Sequence, residues 1–317
     1  MAAKKKMQEQ AVRYLRYDLV NSTTPGVETS HYIDLARDLS AINRRLYRQG
    51  RSYHVKRVSI VSSNTIAGPG NAGRVTFSTI PTSWTAANAW KRGFEAWRKM
   101  QKKALEASGL KITPTWNDFK VYLSYDMVSG TKPVPLDNGG NALSLGEWSY
   151  STYKSPDGTT GADSMVAHML GAHNGTPGSG AMGSIGLIQS YGDSRATVNN
   201  DSPTVQSDAD DDPLVNLFDD GTVVDEVISD MRTKNEDAPY DIVNYAGDGA
   251  NHSKPVVVQQ TTLGADGRAS VGGFTAMCGL IEVEITTPVA SDPGDAYSVL
   301  IELAPGSYRG IAADVIA

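Results

Sequence analysis

Six cations, Lys91, Arg92, Arg98, Lys99, Lys102 and Lys103, share one arc of a helical wheel drawn over residues 84–109, WTAANAWKRGFEAWRKMQKKALEASG. Trp90, Phe94, Trp97, Met100, Ala104 and Leu105 take the opposite arc at about 100° per residue. The apolar arc must pack on something, and the cationic arc must meet water, an acidic partner or a polyanion. More cations precede it: Lys4, Lys5 and Lys6, then Arg13, Arg16, Arg44, Arg45 and Arg48, with Arg51, Lys56 and Arg57 beyond. They are interleaved with Tyr14, Tyr17, Tyr47, Tyr53, Trp90 and Trp97. Cations neutralise phosphates, and aromatic rings stack the bases of single strands. On the helix, the spacing of Trp90 and Trp97 assigns those two rings to core packing instead. No base-reading motif is present, so binding by this set is expected to tolerate any sequence and to weaken with salt.

Other chemistry is weaker. GPGNAG at 68–73 is glycine-rich, but no Gly-Lys-Ser/Thr follows it and the next element reads as a strand. A phosphate cradle needs donors at a helix N-terminus, so a hairpin turn is expected there. His168 and His173 are five apart, which suits neither strand nor helix for a metal pair. With His31, His54 and His252 they read as structural or surface residues. GSIG at 183–186 lacks the G-x-S-x-G pattern of a serine nucleophile. Asp208, Asp210, Asp211 and Asp212, with Asp219 and Asp220 nearby, are oxygen donors of the kind Ca²⁺ takes. They lack the spacing and glycine of an EF-hand loop, and a solvated acidic surface is the favoured reading. No acid–base pair points to an enzyme, and no cofactor is implied.

The elements that must position these residues are mostly strands. Val12–Val20, His31–Ala36, Ser52–Ser62, Arg74–Ile80, Trp116–Tyr125, Glu147–Tyr153, Gly183–Tyr191, Pro255–Leu263, Val271–Thr287 and Ala296–Leu303 have strand composition or alternation. Within Ser52–Ser62 the pattern slips between Val55 and Val58, the mark of a bulge. Leu39–Tyr47 is expected as a short helix, and Asp163–His173 is apolar but of undecided type. Strands do not alternate regularly with helices, which disfavours a doubly wound fold and favours a β-sandwich or barrel.

Charge divides the chain of 317 residues. Residues 1–111 carry a balance of +13 and residues 112–317 one of −19, for a net −6. Such asymmetry suits a surface for a polyanion and another facing solvent or cations. Residues 1–11 form a short basic arm, and 193–241 read as an acidic, partly helical surface insertion. Cys278 is the sole cysteine and is expected as a small buried hydrophobe. No apolar run is long enough to span a bilayer, and MAAKKKMQEQ has no apolar core of a secretory signal.

HYIDLARDLSAINRRLYRQGRSYHVKRVSIVSSN at 31–64, TSWTAANAWKRGFEAWRKM at 82–100 and GEWSYSTY at 146–153 resemble capsid proteins of small circular single-stranded DNA viruses known from environmental samples. The resemblance implies an all-β fold, a single jelly-roll β-sandwich of about eight core strands, with helical insertions at 84–109 and 193–241 in a domain over 12–317. It implies self-assembly into an icosahedral shell, with other copies of the chain and the viral genome, single-stranded DNA, as partners. The expected locations are the virion and, during assembly, the host cell. Many relatives carry a long arginine-rich arm; here it is three lysines, which makes the 84–109 face a candidate substitute. A carbohydrate-binding β-sandwich is the alternative, since Tyr, Trp, Asp and Asn at 147–157 and 191–201 would suit sugars.

Overall fold

A computed structural model describes residues 10–62, 73–109, 111–112, 114–156, 162–175, 183–195, 239–241, 243–264, 266–287 and 296–316. The strands are β1 (Tyr14–Val20), β2 (Thr29–Asp34), β3 (Arg51–Ser62), β4 (Arg74–Thr79), β5 (Tyr122–Ser124), β6 (Thr152–Pro156), β7 (Ala162–Leu170), β8 (Ser184–Gly186), β9 (Val256–Thr262), β10 (Arg268–Val271), β11 (Phe274–Met277), β12 (Leu280–Thr286), β13 (Ala296–Leu303), β14 (Pro305–Gly306), β15 (Gly310–Ile311) and β16 (Ala313–Val315). The helices are α1 (Leu35–Asn43), α2 (Trp84–Ala107), α3 (Asp126–Ser129) and α4 (Leu187–Asp193).

Two antiparallel sheets form a sandwich. The first runs β1-β13-β3-β10, with β11 and β16 also on β3; the second runs β2-β12-β4-β9. Alternation builds the space between them. Leu15, Tyr17 and Leu19 of β1 are buried while Tyr14 and Val20 are exposed, because successive side chains leave opposite faces. Val58 and Ile60, Val75 and Phe77, Ile281, Val283 and Ile285, and Val299 and Ile301 join them in one apolar cluster. The slip expected in β3 is present. Lys56 and Arg57 both face outward between buried Val55 and Val58, and the pairing with β13 shifts at Glu302/Leu303. The bulge lets both cations reach one carboxylate: Lys56 Nζ lies 2.7 Å and Arg57 Nη2 3.6 Å from Glu302.

The strand expected over His31–Ala36 ends at Asp34, and the helix expected from Leu39 begins at Leu35. The cause is local: the Asp34 carboxylate accepts from the Arg37 amide at 3.1 Å, an N-cap that starts the helix early. Arg44, in the left-handed region, closes α1.

Between β4 and β9, where the sequence predicts the helix at 84–109, three strands and the acidic insertion, the described residues form a separate subassembly. α2, α3, α4 and a further sheet of β5, β6, β7 and β8 lie there. In it β7 pairs antiparallel with β6 but parallel with β5 and β8. The segment of undecided type at 163–173 thus becomes a central strand. The strand expected over Trp116–Tyr125 shrinks to three residues. The strand expected over Gly183–Tyr191 is three residues followed by α4, which turns Leu187, Ile188 and Tyr191 inward at helical spacing. These side chains join Trp90, Trp97, Phe119, Met169 and the end of the second sheet (Tyr32, Met277, Cys278, Leu280) in a second apolar cluster. β2, β4 and β12 are therefore nearly continuous buried runs, covered on both faces.

Candidate nucleic-acid interface

α2 starts at Ser83, whose hydroxyl accepts from the Ala86 amide at 3.1 Å, and stops before Gly109, which has φ +70°. Its apolar side packs as its periodicity requires. Trp90 stacks on Phe94 with centroids 5.4 Å apart, and Trp97 lies 5.6 Å from Phe119. Gly93 lets α4 and β6 approach: Tyr153 donates to the Gly93 carbonyl at 2.6 Å, and a Cβ there would meet Leu187 at 3.0 Å. Ala104, expected on the apolar side, is exposed.

Lys91, Arg92, Arg98, Lys99, Lys102 and Lys103 are all exposed on the other side. Among the described residues the only ion pair they make is Lys102 with Glu106 at 3.7 Å. That pair is surface-exposed and weak. Among the described residues, then, most of the stripe's charge has no carboxylate beside it.

The earlier cations are committed differently. Arg13 donates to the Leu303 carbonyl at 3.4 Å, and Arg16 pairs with Asp18 at 3.4 Å. Arg48 pairs with Asp118 at 2.9 Å, and Arg51 covers the Tyr308 ring at 3.7 Å. Arg44 and Arg45 are exposed at the end of α1. Lys4, Lys5 and Lys6 lie outside the described residues, as do Asp208, Asp210, Asp211 and Asp212 and nearly all of the acidic insertion. Tyr17, Tyr47 and Tyr53, offered by the sequence as stacking surfaces, are wholly buried; strand alternation turns two of them into the sandwich core. Their hydroxyls are satisfied by Asp38, the Arg309 carbonyl and the Arg48 carbonyl respectively.

One aromatic group lies outside that accounting. Trp84, at the first position of α2, is 45% exposed. Its ring meets Tyr245 at 5.7 Å and Tyr191 at 6.3 Å, both edge-on. The Arg195 guanidinium sits 6.0 Å from the Trp84 ring and 5.7 Å from that of Tyr191. Residues 84, 191, 195 and 245 are too far apart in sequence for spacing to join them. Trp84 itself was detectable, because it lies on the cationic arc of the wheel.

A second polar cluster is internal. The Asp34 carboxylate accepts from Gln49 (2.8 Å), Tyr150 (3.1 Å) and Trp148 (3.2 Å) besides the Arg37 amide. Gln49 in turn accepts from the Val121 amide at 2.6 Å. Asp38 accepts from Arg37 and Tyr17, and burial still pushes its carboxyl up to about 6 against the pull of Arg37. Both carboxylates are thus held by donors from the protein itself. Among the described residues no group of three or more His, Cys, Asp or Glu is placed to hold a metal ion. No helix among them is long and apolar enough to cross a membrane. No protein-family model, curated protein or solved structure matches the chain.

Proposed function

We propose that this chain is a jelly-roll capsid protein, of the kind its sequence resembles, which assembles into a closed shell and packages single-stranded nucleic acid through the cationic face of α2. Strand order carries the fold part of this reading. Taking β1, β2, β3, β4, β9, β10, β12 and β13 as strands one to eight, the two sheets read 1-8-3-6 and 2-7-4-5. That is the order of eight strands wound as two Greek keys, which capsid and lectin domains share. A fold shared by both cannot choose between them, so the choice rests on the site. The single supporting observation is the stripe of six exposed cations on α2, five of them without an ion-pair partner among the described residues. Phosphates packed in a shell repel one another, and lysines and arginines directed at them release counterions and reduce that repulsion. A sandwich that binds neutral sugars makes no use of such a stripe.

Negative-stain microscopy of the purified chain tests assembly: uniform closed particles are expected, and a monodisperse monomer at all salt concentrations and pH values would overturn the reading. Lys99→Glu, Lys102→Glu and Lys103→Glu together are expected to lower the nucleic-acid content of particles, read from the ratio of absorbance at 260 and 280 nm. Unchanged content would remove α2 from that role.

A further inference from the structure

Trp84 does not share the direction of Trp90 and Trp97. At 100° per residue it points within about 20° of Lys91 and in line with Lys102, so it heads the cationic stripe and not the apolar one. Tyr191 and Tyr245 are buried, their centroids are 5.8 Å apart, and both meet the Trp84 ring in T-shaped contacts that leave it 45% exposed. Arg195 lies against Trp84 and Tyr191 and donates to the Tyr191 hydroxyl at 3.3 Å. Arg92, from the stripe itself, reaches the Tyr191 ring at 6.0 Å. Among the described residues neither guanidinium has a carboxylate partner. A half-exposed indole with one guanidinium beside it and a second over the adjoining Tyr191 ring has little value as core. It offers a flat π-face for a base, with cations alongside for the phosphates on either side of it.

We infer that Trp84, Tyr191, Tyr245, Arg92 and Arg195 form a stacking site for an unpaired nucleobase at the head of the α2 stripe. The backbone of the same strand follows Lys91, Lys99 and Lys102, which extends the contact about 27 Å along the helix from Trp84. A duplex keeps its bases stacked on one another and cannot use the indole, so the site selects single strands. This deepens the proposed function and rests on its nucleic-acid part, but not on shell assembly.

The test is fluorescence anisotropy of a labelled oligothymidylate with the full-length chain over a salt series. Trp84→Ala is expected to weaken single-strand binding about tenfold, within the range for loss of one stacked base, and to leave the salt slope unchanged. Trp84→Phe should recover most of the loss. Lys99→Glu with Lys102→Glu should weaken binding and flatten the slope. Arg195→Gln, which leaves the indole in place, provides a second variant should Trp84→Ala fail to fold. Its expected result is a severalfold loss for single strands only. If Trp84→Ala or Arg195→Gln binds like wild type while the lysine variant weakens, stacking is wrong and the polyanion reading stands. Equal affinity for a duplex of the same length would also overturn stacking. If heparin binds and the oligonucleotide does not, the ligand is an anionic glycan and both readings fall.

Discussion

At the scale of single residues, burial decides which charges this protein tolerates. His168 of β7 is wholly buried; one ring nitrogen meets the Ala172 carbonyl at 3.1 Å, and the other has no partner among the described residues. Burial holds its pKa down at about 4, so the folded protein keeps the ring neutral. A depressed pKa gives stability that is complete above the unfolded value near 6.5 and is lost as pH falls through 4. Asp38 works in the opposite sense: with its pKa raised to about 6, its contribution is complete at low pH and lost as pH rises through 6. The two partly cancel in the wild-type profile, so the difference between variants is the informative quantity. The stability of wild type relative to His168→Gln should fall by about 3 kcal/mol between neutral pH and below pH 4. Urea unfolding at a series of pH values measures this; a flat difference would mean that protonation of His168 costs nothing.

At the scale of elements, close approach matters as much as periodicity. The β11–β12 turn has φ +59° at Cys278 and +71° at Gly279, positive at both central residues as a tight right-twisted hairpin requires. Cys278 is thus buried, as its apolar surroundings indicate, but in a backbone conformation its type rarely adopts. α2 sits on α4 and β6 through Gly93, where any side chain would press on Leu187 and on the Tyr153 hydroxyl. Alanine there offsets crowding with helix propensity; valine gains nothing from propensity and adds volume. Gly93→Val should therefore destabilise by about 1–3 kcal/mol and shift the melting transition down. A melting temperature equal to wild type would show that α2 and α4 can separate without cost.

At the scale of the whole molecule, the sandwich and the residues between β4 and β9 are joined by chemistry as well as by contact. Asp34, at the end of β2, ties together α1, Gln49 before β3, and Trp148 and Tyr150 from between β4 and β9. Tyr32, Met277, Cys278 and Leu280 belong to the insertion's apolar cluster, not to the sandwich core. Asp34→Ala removes the helix cap and strands several buried donors, with an expected cost of about 3–5 kcal/mol. Scanning calorimetry should show one unfolding transition for the wild type and a lower one for the variant. Two separate transitions in the wild type would mean that the insertion folds by itself.

The charge stripe of α2, the strand period of β1 and even the slip in β3 were legible in the sequence, because each is a local property of side-chain period. Leu15, Tyr17 and Leu19 alternate wherever β1 pairs, and Lys91 and Lys102 share a helix face whatever α2 packs against. The azimuth of Trp84 was legible in the same way. What period cannot carry is long-range pairing. Three-residue strands such as β5 and β8 have no alternation to read, and their parallel pairing with β7 depends on chain segments far apart. α4 was hidden within an apolar run that suits a strand equally until Gly93 gives it a surface. Tyr17, Tyr47 and Tyr53 looked like bases' stacking partners until tertiary packing enclosed them. The meeting of Trp84 with Tyr191, Arg195 and Tyr245, and of Asp34 with Trp148 and Tyr150, was decided only by the tertiary structure, since contacts across a hundred residues leave no mark in local spacing.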